Sequence, residues 1–239
     1  SEPNTRRLAN YLTQRTSGNP LFTTELLRAL VSEGALSWEG KLGKLDENYL
    51  PTLIVQVIER RLQLLDQTAR EALEVAAVIG QDVPLELWRE VSGLEQTSFD
   101  TMLTLAIETH VLEETSNHRG LAFSHALVRE VLYNGLLPTR RRLLHQIIAT
   151  MLANAVRQDP DIVAHHFLQA GDERALVWLV RGGLRAWHAS AWISAADLFE
   201  AAATVIGDDP LLASERGWLL YMAATLVRYT NNQRSLDLL

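Results

Sequence analysis

Seven histidines, a run of three arginines and one lysine behind spaced glycines are the residues of this 239-residue chain with the clearest capacity for chemistry. His125 follows Leu121-Ala122-Phe123-Ser124, which reads as a strand. It precedes Leu127, Val128, Val131, Leu132 and Leu136, which share one face at helical spacing. A histidine at a helix start sits among backbone N–H groups the helix leaves unpaired, and these favour an anion. The same residue could instead cap or pack the junction. His165 and His166 follow Asp161 by one turn, but adjacent helical residues point about 100° apart. Only Asp161 and His165 share a face, so no metal-ligand set is expected. His145 has nothing around it in the sequence to argue catalysis. With no cysteine, neither a disulfide framework nor a thiolate metal site can form.

Gly34 to Lys41, GALSWEGK, comes near a phosphate loop and misses it. Five residues separate the glycines instead of four, and Leu42 stands where the magnesium-binding Ser or Thr belongs. The chain alone is therefore expected not to hydrolyse ATP. Arg140-Arg141-Arg142 could grip phosphate or nucleic acid, or pair with an acidic neighbour. Such a neighbour exists: residues 66–137 hold 12 acidic and 4 basic residues, a net of −8. Intramolecular pairing is the favoured reading. The same balance disfavours duplex DNA, whose phosphates it would repel.

These residues need elements to position them. Residues 1–15 read as a helix with Leu8, Tyr11 and Leu12 together, broken at Thr16-Ser17-Gly18. Asn19 is a good N-cap, and Pro20 suits the first helical position, where an N–H has no partner anyway. That second helix ends at Gly34, and a long connection with a small hairpin near 40–43 leads to a third from Pro51. Asp66 caps a helix to Ile79, closed by Gly80. Residues 84–91 and 95–110 form two more, and strands at 111–115 and 121–124 flank the polar loop 116–120. Helices are then expected over 126–137, from Pro138 to Asp159, over 161–169, 172–188, 190–206 and 211–229. Gly182, Gly183, Ala186, Ala195, Ala196, Ala201 and Ala202 put small residues where helices must approach closely.

Composition sets limits. Hydrophobic residues make up 47% of the chain, ample for cores, and the formal net charge is −7. No apolar run approaches the ~18 residues of a membrane span. The start, SEPNTRRLANYL, has no signal-peptide segment, so a cytoplasmic location is expected. It opens abruptly inside a helix, as a piece of a longer protein would.

The order SGNPLFTTELLRAL, ERRLQLL, AREALEVAAVIG, FSHALVREVLY, LLPTRRRLLHQIIATML, HHFLQAGDERALVWL resembles the segment after the nucleotide-binding core of STAND-class signal-transducing ATPases. These include large LuxR-type transcriptional regulators and the ATPase parts of some adenylate and guanylate cyclases. The resemblance implies a mainly α fold: a helical lid (1–64), a winged helix with a small β wing (65–137), connecting helices (138–171), and the start of a tetratricopeptide-like sensor array (172–239). Gly18-Asn19-Pro20 looks like the family's GxP motif, whose proline lies near adenine. FSHAL looks like its Met-His-Asp motif, whose histidine touches the β-phosphate of ADP. His125 matches that histidine, while Ser124 and Ala126 depart from the flanking Met and Asp.

The implied cofactor-binding residues are thus Gly18, Pro20 and His125. ATP or ADP would bind in the full-length parent and not tightly to this chain alone. The implied partners are an upstream nucleotide-binding domain and an inducer or protein on the repeats, with no DNA and no membrane. The Walker motifs would precede residue 1, and ATP hydrolysis is left to the parent. Two other readings stand beside this one: a DNA-binding winged-helix regulator, and a helical-repeat scaffold for a protein partner.

Overall fold

The computed structural model describes residues 2–16, 18–32, 36, 52–115, 120–228 and 232–238. The near-phosphate loop at 34–41 apart from Leu36, the hairpin expected near 40–43, the helix stop at Gly34 and most of the 116–120 loop lie outside the described residues. The fold is mainly helical with one small sheet. It divides into two compact units, Ser1–Leu137 and Pro138–Leu239. The expected boundary at 64/65 falls inside the first unit, and that at 137/138 falls at its edge. No helix among the described residues is long and apolar enough to cross a membrane.

The first unit opens with α1 (Glu2–Thr16), α2 (Pro20–Ser32) and α3 (Thr52–Leu62). Then come α4 (Gln67–Ile79), β1 (Asp82–Val83), α5 (Leu85–Ser92) and α6 (Gln96–Glu108). It closes with β2 (Leu112–Glu114), β3 (Leu121–Phe123) and α7 (Ala126–Gly135). Local chemistry sets several of these ends. The Asp66 carboxylate accepts from the Ala69 N–H at 2.7 Å and so starts α4. Leu73, Ala76 and Ala77 on its inner face are fully buried. Trp88 of α5 is also fully buried. Its indole N–H donates to the Ala72 carbonyl at 2.6 Å, and its ring meets Phe99 of α6 edge-on at 5.0 Å. An apolar body and a satisfied polar tip make that residue the pin of the α4–α6 packing.

The sheet departs from expectation. Two strands were anticipated, and three are present in the order β1-β3-β2, all antiparallel. Asp82 faces Ala122 and Val83 faces Leu121, while Leu112 faces Phe123 and Glu114 faces Leu121. Gln81 fastens the new strand, its side-chain amide donating to the Phe123 carbonyl at 2.7 Å. Helix α7 buries Leu127, Val128, Val131 and Leu132, as the spacing predicts, but ends at Gly135 rather than 137. Leu136 leaves the helix in extended backbone and still buries its side chain, so the apolar face is kept although the helix stops.

The second unit is a chain of sequentially packed helices: α8 (Pro138–Asn154), α9 (Pro160–Ala170), α10 (Ala175–His188), α11 (Trp192–Ile206), α12 (Ala213–Val227) and α13 (Asn232–Asp237). A 3-10 turn at Pro210–Leu212, unforeseen in the sequence, leads into α12. Phe167, Leu179, Phe199, Leu219 and Val227 form its core with alanines 195, 196, 202 and 203 between them. The small residues have a visible purpose. A Cβ on Gly183 would stand 2.6 Å from the Phe199 ring, and one on Gly182 would collide with the Asp161 carboxylate. These two glycines let α10 lie directly on α11 and α9.

Candidate functional site

His125 at the start of α7 meets the start of α2, with the charges of Arg61 in α3 and Glu113 in β2 acting on it. The turn from α1 to α2 is made by Gly18, whose φ of +77° is left-handed backbone that glycine adopts without strain. That turn puts Asn19 at the start of α2, where its side-chain oxygen accepts from the Phe22 N–H at 3.3 Å. Pro20 takes the first helical position and is exposed. His125, in extended backbone, holds the cap position of α7 without capping it by its side chain.

The two helix starts meet through side chains. Asn19 Nδ2 lies 3.3 Å from His125 Nε2, and the Phe22 ring meets the imidazole edge-on at 5.3 Å. The Asn19 oxygen is already committed to the Phe22 N–H, so its NH₂ must donate and His125 Nε2 must accept. This fixes the tautomer by elimination: the proton of neutral His125 sits on Nδ1. Nδ1 is itself buried and has no hydrogen-bond partner among the described residues. Burial holds the imidazole below its ordinary pKa; Glu113 opposes that shift and Arg61 adds to it. The arrangement is a neutral histidine presenting one unspent N–H donor.

Two further contacts hold α1–α3 against the rest of the unit, and a third ties α7 to α4. Arg15 at the end of α1 pairs with Glu130 of α7. Arg70 of α4 donates to the Glu59 carboxylate of α3 at 3.0 Å. Arg129, one turn past His125, donates to the Ala77 carbonyl of α4 at 3.0 Å, so its guanidinium is spent on structure.

Of the residues singled out in the sequence, Gly18 and His125 are brought into one neighbourhood by Asn19, which reads from sequence only as a cap. Phe22, Arg61 and Glu113 join them, and no spacing rule could have found those three, because each comes from a different element.

The other histidines gather elsewhere. In the second unit, His145 of α8 and His166 of α9 are both almost fully buried, with Nδ1 atoms 2.8 Å apart. His165 lies beside them, 6.0 Å from the His145 ring and 5.4 Å from that of His166. His145, beside which the sequence shows nothing to argue catalysis, has a neighbour 21 residues on, across a helix–helix packing that sequence spacing does not reveal. One imidazole donates and the other accepts. Burial, then the two neighbouring histidines, push His166 down to about 3. Asp161 turns to Arg185 of α10, at 2.6 Å. Among the described residues, no group of three or more His, Cys, Asp or Glu is placed to hold a metal ion.

An uncharacterised protein of Rhizobium meliloti (strain 1021) is similar to this chain, with 30% identity over 210 residues, covering 82% of the chain. The chain spans about a fifth of that curated relative's length, the matched share being 20%. No family model matches the chain. No solved structure matches it.

Proposed function

We propose that this chain is the regulatory segment of a nucleotide-switched signalling ATPase or transcription regulator. Residues 1–64 act as a helical lid, 65–137 as a winged helix, and 172–239 open a tetratricopeptide-like sensor array. One observation carries the reading: the Asn19–His125 contact, which joins the two short motifs that resemble the family's adenine-side and phosphate-side signatures. The helices α4–α6 followed by β2 and β3 support the winged-helix assignment. The close α10–α11 packing over Gly182 and Gly183 supports the repeat assignment.

The residues present fit a bound nucleotide on one structural ground. A buried N–H with no partner is costly, and a phosphate oxygen would satisfy it with a charge-assisted bond. His125 would hold the phosphate, aided by the first-turn N–H groups of α7, and Gly18 and Pro20 would border the base. The nucleotide supplies the charge that decides between two arrangements. The protein supplies the lid contacts Arg15–Glu130, Glu59–Arg70 and Asn19–His125, which close only when α1–α3 lie against α4 and α7. Switching is then a population shift between a closed and an open arrangement. DNA reading is disfavoured because α6, the helix that would enter a groove, carries no Lys or Arg.

The test is the ADP dissociation rate of the full-length parent, wild type against His125→Ala, with circular dichroism as the folding control. A hydrogen bond to a charged group contributes about 1.5–3 kcal/mol, so release should speed up by roughly one to two decades. An unchanged rate in a folded variant would make His125 a packing residue.

A further inference from the structure

A cavity of about 450 Å³ opens in the second unit between α10, the end of α11 and the start of α12. Its size falls within the ~300–1,000 Å³ usual for small-molecule sites. Leu176 and Val180 of α10, Ile206 of α11, Leu212, and Trp218 and Leu219 of α12 line it. These are apolar surfaces with a single charge among them, Glu215, next to the Ser214 hydroxyl. Glu215, Trp218 and Leu219 stand at i, i+3 and i+4 of α12, so carboxylate, indole and leucine share one face. Trp218 is half exposed, yet it is steadied by Phe199, whose ring meets it at 6.2 Å.

We propose that this cavity binds a small cationic amphiphile, an apolar body of several carbons carrying an ammonium or similar positive head. The apolar walls take the body, since removal of such surface from water drives association. The head is read twice. The Glu215 carboxylate attracts a positive charge, and the face of the Trp218 indole attracts the same charge through its quadrupole. A carboxylate head would meet Glu215 with like charge, and a neutral head gains neither the ion pair nor the cation–π contact. The site belongs to the second unit alone and stands whether or not the first unit answers to nucleotide.

Calorimetric titration of the 239-residue chain with octylammonium, octanol and octanoate at neutral pH tests the proposal. Octylammonium should bind about tenfold more tightly than octanol, the combined worth of a half-exposed ion pair and a cation–π contact. Octanoate should bind more weakly than either. Glu215→Gln should erase most of the gap between ammonium and alcohol and weaken octanol much less than octylammonium. Leu212→Trp, in the lining of the cavity, should abolish binding of all three with an unchanged circular dichroism spectrum. Equal binding of the three probes would overturn the cationic class. Absence of binding by octylammonium in the folded chain would overturn the site, as would a preference undiminished by Glu215→Gln. Binding that survives Leu212→Trp would place the amphiphile elsewhere and overturn it as well.

Discussion

Arg15 Nη1 donates to Glu130 Oε1 at 2.8 Å while Nη2 lies 2.7 Å from Oε2, so the last turn of α1 is tied to the middle of α7 by a two-pronged ion pair. Both side chains are largely removed from water, 9% and 20% exposed. Burial raises the Glu130 pKa against the pull of Arg15 and Arg129. Desolvation therefore outweighs pairing, and the pair serves orientation more than stability. The folded state holds the Glu130 proton more tightly than the unfolded chain, so this group favours folding more as pH falls through the carboxylate range. Arg15→Leu, which strands a buried carboxylate, should cost about 3 kcal/mol, and the double variant Arg15→Leu/Glu130→Leu should recover most of it. Urea unfolding of wild type, both singles and the double variant measures this. A double variant as unstable as Arg15→Leu would show that the pair contributes net stability.

Asn19→Asp separates the two duties of Asn19. An aspartate keeps an oxygen on the Phe22 N–H and still caps α2, so stability should change by less than about 1 kcal/mol. Its second oxygen then faces His125 Nε2 as an acceptor where an NH₂ donated. The imidazole should titrate higher than in the wild type, because its protonated form gains a partner. Imidazole carbon-proton NMR across pH 4–8, on the order of the ordinary histidine range, reads the shift. An unmoved His125 titration would contradict the assigned tautomer.

Gly183→Ala pits two terms against each other. Alanine favours a helix interior over glycine by about 1 kcal/mol. Its methyl, however, would enter the Phe199 ring at 2.6 Å, and overpacking costs roughly 1–3 kcal/mol. The ring is fully buried and cannot swing away, so the net should be destabilising. Gly217→Ala in α12, where a Cβ meets nothing, should be neutral or stabilising. The difference in thermal midpoint between the two variants is the measurement.

The buried His145–His166 pair sets an acid limit on the second unit. His166 stays neutral down to about 3 when folded, whereas an unfolded histidine takes its proton near its ordinary value. Below that value the unfolded chain binds more protons, so stability falls with falling pH at about 1.4 kcal/mol per pH unit for this group. Above it the group has no effect. Thermal scans from pH 7 to 4 should show the slope, and a His145→Phe/His166→Leu variant should flatten it, on the order of one titrating group's worth.

What could be read from sequence follows how local each signal is. Helix α4 was legible to the residue because Asp66 and Gly80 act on their own neighbours. The cap at Asn19 was legible for the same reason; its bond to His125, 106 residues away, was not. Two-residue β1 carries too little alternation to register as a strand. The stop of α7 at Gly135 was masked by Leu136, whose position fits the helical pattern although its backbone leaves it. Arg15–Glu130 and His145–His166 depend on which helix faces which, and no spacing within one helix encodes that.

The placement of β3 between β1 and β2 has a kinetic meaning. Strands β2 and β3 are close in sequence, and closing the loop between them costs little chain entropy. Val83 and Leu121 enclose both α5 and α6, so their pairing closes a far longer loop. A two-residue strand cannot repay that cost until Trp88 and Phe99 have docked on α4. The hairpin should therefore be formed in the folding transition state, with φ-values near ~0.5 or above at Phe123 and close to zero at Val83. The strand nearest the start of the sheet in sequence is the last to join it.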